Sequence, residues 1–180
     1  MRSLAPRGIT LLELLMTIAV AGIVAGVGAP WWTRIIAGNE RLAATNQLVG
    51  LIQRARSEAI KSGKEVVLCP DNGTGGCLDG DGAWSNGYTL FLNAQRGRPW
   101  RPDDAGGLLA RGRWPGQISV HGNRDGWVFR PLALRSTNGT FRICHRRNLT
   151  PPRAVIVSPM GRPRTAQRLP GGGTIPCPDT

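Results

Sequence analysis

Residues 9–29 (ITLLELLMTIAVAGIVAGVGA) are apolar at every position except Thr10, Glu13 and Thr17, and as a helix they are long enough to span a bilayer core of about 30 Å. Whatever follows must fold on the far side of such an anchor. An ordinary secretory signal has a shorter apolar core and a small-residue cleavage site behind it. Here the basic leader MRSLAPRG comes first. Arg2 and Arg7 are held on the cytoplasmic side by the positive-inside rule, which sends the remaining chain across the membrane. Trp31 and Trp32 fall where the far interface is expected, and Pro30 ahead of them should kink or loosen the helix. A carboxylate within the span is costly, and its presence points to a function for Glu13.

Beyond the anchor, Leu48, Val49, Ile52, Ala55, Ala59 and Ile60 recur at spacings of three and four, with Leu42 two turns before Val49. This predicts an amphipathic helix ending near Ser62, with Gly63 as its stop. A helix from Ile9 to Ser62 would measure roughly 80 Å at 1.5 Å per residue, too long for a compact core. Its second half must therefore lie across a sheet. Strands are expected at Glu65–Cys69, Tyr88–Leu92, Ile118–Val120, Trp127–Arg130, Thr140–His145 and Ala154–Ser158, short β-prone runs separated by Gly, Pro, Asn and Asp. The segments Asp71–Gly82 and Arg96–Gly107 read as surface loops. The fold class is α+β: a long N-terminal helix packed on a C-terminal antiparallel β-sheet domain. Its parts are a leader over 1–8, a transmembrane helix over 9–35, an amphipathic continuation over 36–62 and a β-rich domain with a basic tail over 63–180.

Cys69, Cys77, Cys144 and Cys177 in an exported domain imply two disulfides, for which three connectivities exist. A local Cys69–Cys77 bridge around the glycine-rich loop leaves Cys144 for Cys177. With only His121 and His145 as imidazoles and no CxxC pair, neither a metal nor another cofactor is expected.

Charge is distributed unevenly. Residues 9–110 balance, whereas residues 111–180 hold twelve arginines against Asp125 and Asp179. A polyanion is the natural partner for such a field.

The segment Gly8-Ile9-Thr10-Leu11-Leu12-Glu13 resembles the processing site of type IV pilins and type II secretion pseudopilins, cut after the glycine by a prepilin peptidase. The resemblance implies that Ile9 becomes the N-methylated first residue, where the family usually has Phe. It makes Glu13 the fifth mature residue, facing a neighbouring subunit's N-terminal amine, and Pro30 the twenty-second. The strings LIQRARSEAIKS, EVVLC, NGYTLFLN, NGTFRIC and AVIVSPMGRPR resemble the minor pilin family that includes FimT and GspH. Within it, Gly161-Arg162-Pro163-Arg164 is similar to the GRxR element of FimT proteins, whose basic C-terminal region binds DNA in natural transformation. The resemblance implies a single-pass inner-membrane protein with a periplasmic domain, later assembled with other pilins into a pilus.

The residues support the same reading. Arg162 and Arg164 stand two apart in a proline-restricted, extended segment, so both can face one side. Guanidinium groups suit phosphate, and phosphate contacts carry no sequence information. A Cys144–Cys177 bridge would bring Arg146 and Arg147 to the same surface, and Arg168 extends it. Trp84, Trp100, Trp114 and Trp127 can stack on bases, although core packing is the more common use. Catalysis is not expected, because acidic residues are scarce in the basic half and neither histidine has a recognisable nucleophile or metal partner. The alternatives to a DNA-binding minor pilin are a structural or initiating pilin and a GspH-like secretion pseudopilin.

Overall fold

The computed structural model describes residues 9–78, 83–102, 107–131 and 136–177, apart from the side chains of residues 27–30 and 83. Gly8 and parts of both expected loops lie outside the described residues. The chain forms two compact units, Met1–Ile36 and Ala37–Thr180.

Helix α1 (Leu11–Ser62) begins behind Thr10, whose hydroxyl accepts a hydrogen bond from the Glu13 N–H at 3.3 Å. This is the usual N-cap contact. It ends at Gly63, which adopts φ +69° and donates its N–H to the Ala59 carbonyl at 3.1 Å, a left-handed stop that glycine makes without strain. The helix continues through Pro30, since one missing N–H does not end a helix whose backbone bonds resume on either side. In the first unit Leu11, Leu12, Leu15, Met16, Ile18, Val20, Ile23 and Val24 are all exposed. A continuous apolar surface of that kind suits lipid and neighbouring helices.

In the second unit, Ala37, Ala44, Leu48, Leu51, Ile52, Ala55 and Ala59 are buried. Leu42 and Ile60, which the spacing places on the same face, are instead 55% and 53% exposed. At about 100° per residue both point roughly 120° away from Leu48. Small Ala44, Ala55 and Ala59 let the sheets approach the helix closely, and the larger neighbours fill the space around them.

Among the described residues, eight strands form two antiparallel sheets where the sequence predicts one. The first has the order β3 (Leu108–Gly112), β2 (Tyr88–Leu92), β1 (Val66–Pro70), β5 (Trp127–Phe129). The second has the order β4 (Ile118–Gly122), β6 (Gly139–His145), β7 (Arg153–Val157), β8 (Pro163–Ala166). The chain crosses from one sheet to the other between β3 and β4, back between β4 and β5, and again between β5 and β6, a choice of pairing that strand propensity does not encode. Both sheets turn alternate residues toward α1: Val66 and Leu68, Leu90, Val120, Phe129, Phe141 and Ile143, Val155 and Val157 join the helix face in one core. Strand β1 is buried on both sides, because Val67 and Cys69 meet Phe91 and Val128 under Cys77 and Trp100.

The centre is aromatic. Trp127 stacks on Phe141 with centroids 3.8 Å apart, and Trp84 meets both rings edge-on at 5.3 and 4.9 Å. Gly122 and Gly139 make room, since a Cβ at either would stand 2.9 Å from the Trp127 ring. Burial of each large apolar side chain contributes about 1.5–3 kcal/mol.

Cys69 is joined to Cys77 and Cys144 to Cys177, one of the three arrangements open to four cysteines. Asn72 shapes the first loop by accepting from the Thr74 and Gly76 N–H groups at 2.9 and 3.0 Å. The second bridge returns the tail to the outer face of the second sheet, where Arg142 donates to the Pro176 carbonyl at 3.2 Å and Ile175 is buried.

Candidate functional site

The segment Gly161–Arg164 forms the β7–β8 hairpin turn and the start of β8. Ser158 N–H donates to the Arg162 carbonyl at 3.0 Å, Gly161 N–H to the Ser158 carbonyl at 2.8 Å, and Arg162 N–H to the Ser158 hydroxyl at 3.2 Å. Gly161 is buried with φ +69°. A Cβ on it would lie 3.2 Å from Phe129 Cδ1 and 3.3 Å from Ser136 Oγ. The turn thus needs glycine both for its backbone and for its seat. Pro163 opens β8 opposite Val157, and Arg164 stands opposite Ile156. The flanking Arg162 and Arg164 are both exposed.

The turn packs against α1. Gln53, Arg56, Ser57, Gly161 and Arg162 line a recess of about 470 Å³. Arg56 therefore belongs with Arg162, although the sequence places it in the charge-balanced half of the chain. No local motif connects residues so far apart. Its one signal is helical position: at about 80° from Leu48 it borders the buried face. Among the described residues, Arg56, Arg162 and Arg164 have no carboxylate partner.

Arg146, Arg147 and Arg168 are not part of this turn. In an antiparallel sheet the β6–β7 and β7–β8 connections leave from opposite ends, and Ile143 pairs with Arg153 at one end while Val157 pairs with Pro163 at the other. The five steps along the chain from Arg153 to Ser158 alone span roughly 16 Å. The Cys144–Cys177 bridge thus does not bring Arg146 and Arg147 to Arg162. Instead, Arg146 N–H donates to the Gln117 carbonyl at 2.8 Å and Arg147 N–H to His145 Nδ1 at 3.1 Å. His145 is buried with Nε2 3.8 Å from Glu40. Arg168 lies near Arg41 and Arg153.

Of the tryptophans considered for base stacking, Trp84, Trp114 and Trp127 are core residues, with the Trp84 and Trp114 indoles hydrogen-bonded to the Arg124 and Trp84 carbonyls. Trp100 is partly exposed but covers the outer face of the first sheet, beneath Arg98 at 4.2 Å. His121 on β4 is held below the ordinary imidazole range, first by burial and then by the charge of Arg142.

The fold, with a long apolar N-terminal helix and antiparallel sheets packed on its second half, defines a type IV pilin-like protein. The family model for type II transport protein GspH matches residues 44–161, so the chain belongs to the GspH family and is a minor type IV pilin or pseudopilin. It is similar to the type IV major fimbrial protein FimA of Dichelobacter nodosus, with 30% identity over 109 residues, covering 58% of this chain and 69% of that one. Two crystal structures of the type IV minor pilin FimU of Pseudomonas aeruginosa share the fold. One has a TM-score of 0.50 at 17% identity over 69% of this chain and 91% of FimU. The other has a TM-score of 0.52 at 18% identity over 71% and 89%. The family match ends at Gly161, one residue before Arg162.

Proposed function

We propose that this minor pilin is FimT-like and binds DNA through the β7–β8 turn, with Arg162 and Arg164 from the turn and β8 and Arg56 from the helix contacting phosphates, in support of DNA uptake during natural transformation. The observation that carries this reading is the meeting of half-buried Arg56 with exposed Arg162 in one recess, and of exposed Arg164 just beyond it, all without carboxylate partners among the described residues, at a turn whose conformation requires glycine. Such contacts bind the backbone of any sequence. In the same reading a prepilin peptidase cuts between Gly8 and Ile9, the chain sits once in the inner membrane with its β domain in the periplasm, and Glu13 meets a neighbouring pilin's amine on assembly.

The test is a mobility shift of the full-length chain in non-ionic detergent with two unrelated duplexes. Comparable binding to both that weakens with salt supports the reading. No binding at low salt rejects it. The family match itself favours a second reading, a type II secretion pseudopilin. It predicts that deleting the gene abolishes secretion of exported proteins and leaves DNA uptake intact.

A further inference from the structure

A second group of arginines lies at the other end of β7 and β8. Arg41 of α1, Arg153 at the start of β7 and Arg168 beyond β8 line a groove of about 690 Å³ with Thr150, Gln167 and Thr174. Three separate parts of the chain bring these cations together. Arg41 Nη1 donates to the Pro151 carbonyl at 2.7 Å, and Arg168 Nη1 to the Gly172 carbonyl at 3.3 Å. Carbonyls orient a guanidinium without neutralising it. Among the described residues none of the three has a carboxylate partner. Arg41 binds its proton less firmly than an ordinary arginine, first through burial and then through repulsion by Arg153. The fold therefore sustains a like-charge contact that an anion would relieve. The Cys144–Cys177 bridge anchors the tail that supplies Thr174 to the wall.

We propose that this groove is a second phosphate-binding site, reached by the same DNA molecule that binds the β7–β8 turn as it runs along the β8 edge of the sheet. The inference rests on the DNA-binding reading of the turn. Among the described residues β8 is an edge strand with β7 as its one paired neighbour, so its other edge is not taken up by sheet pairing. The six steps along the chain from Arg162 to Arg168 span at most roughly 20 Å. A duplex strand carries one phosphate per 3.4 Å of axis, so this distance corresponds to about six base pairs. Arg164 stands between the two ends on the exposed strand. Contacts to phosphate at both ends would fix the direction of the duplex on the protein without reading its bases.

The experiment titrates a fluorescent 24-base-pair duplex with the full-length chain in non-ionic detergent at several salt concentrations. Variants R162Q/R164Q, R41Q/R153Q, their combination and R168Q are compared with the wild type. Each double substitution is expected to flatten the logarithmic salt slope by about 2, the combination by about 4, and R168Q by about 1. Two lost contacts make the affinity drop between 50 and 200 mM salt about twelvefold smaller. If R41Q/R153Q melts below the wild type, R168Q carries the test, because exposed Arg168 has, among the described residues, a local tail contact as its hydrogen bond. Failure of the wild type to bind would reject the DNA-binding reading itself. Binding that R162Q/R164Q weakens while R41Q/R153Q and R168Q keep the full slope would overturn the second site and leave the first standing.

Discussion

Arg56 of α1 and Gly161 of the β7–β8 turn approach so closely that a methyl group on Gly161 would stand 3.6 Å from Arg56 Cδ. The same methyl group would press on Phe129 and Ser136, and the backbone at φ +69° disfavours any side chain. Gly161→Ala should therefore destabilise the protein by about 1–2 kcal/mol. Thermal unfolding checks this, with a lower midpoint expected. The displaced turn should also weaken DNA binding, although no cation is removed.

Glu65, just ahead of β1, is a buried carboxylate that accepts from Arg130 Nε at 2.9 Å and from the Gly97 N–H at 3.0 Å. Burial by itself would raise its pKa, but the bond from Gly97 and then those from Arg130 outweigh it, so the carboxyl is held below its ordinary range. A depressed folded pKa stabilises above the unfolded value of about 4.3, and that contribution disappears as pH falls through the folded value. Glu65→Gln should cost about 1–3 kcal/mol at pH 7. Denaturant curves of the two proteins should converge once the pH is below both values.

The Cys144–Cys177 bridge closes a 33-residue separation, worth about 3 to 4 kcal/mol in the chain-entropy account. Replacing both cysteines with serine should release residues 169–177 from the outer face of the second sheet. Hydrogen exchange should rise there and at Arg142, while α1 and β1 stay protected.

Much of the fold is legible in the sequence because each element carries its own signal. Gly63 marks the end of α1, and runs such as YTLFL mark strands with buried faces. β3 and β8 are less visible because they are short edge strands, half-exposed, without an apolar alternation. Leu42 and Ile60 mislead because a spacing of three or four constrains neighbours but drifts around the helix over several turns. The candidate site is only half legible. Gly161, Arg162 and Arg164 are adjacent in the chain, whereas Arg56 joins them only through packing of the turn on α1. The opposite placement of Arg146 and Arg147 follows from sheet pairing, which no local pattern reports.

Processing supplies a test of the membrane half. Gly8→Val should block peptidase cleavage, leaving the eight-residue leader attached and the protein outside the filament. Intact mass and N-terminal sequencing of the wild-type filament protein should find Ile9 first and methylated. Finding Met1 on assembled protein would exclude cleavage at this site.

The measurement closest to the central claim compares the salt dependence of DNA binding for R162Q/R164Q, Arg56→Gln and Arg54→Gln. Arg54 and Arg56 have equal charge on one helix, but only Arg56 lines the recess with Arg162, so Arg54 is the control for non-specific charge loss. The account predicts slopes flatter by about 2 for the double variant and about 1 for Arg56→Gln, similar on unrelated duplexes, with Arg54→Gln near wild type. An unchanged slope for R162Q/R164Q, or an equal loss from Arg54→Gln, would contradict it.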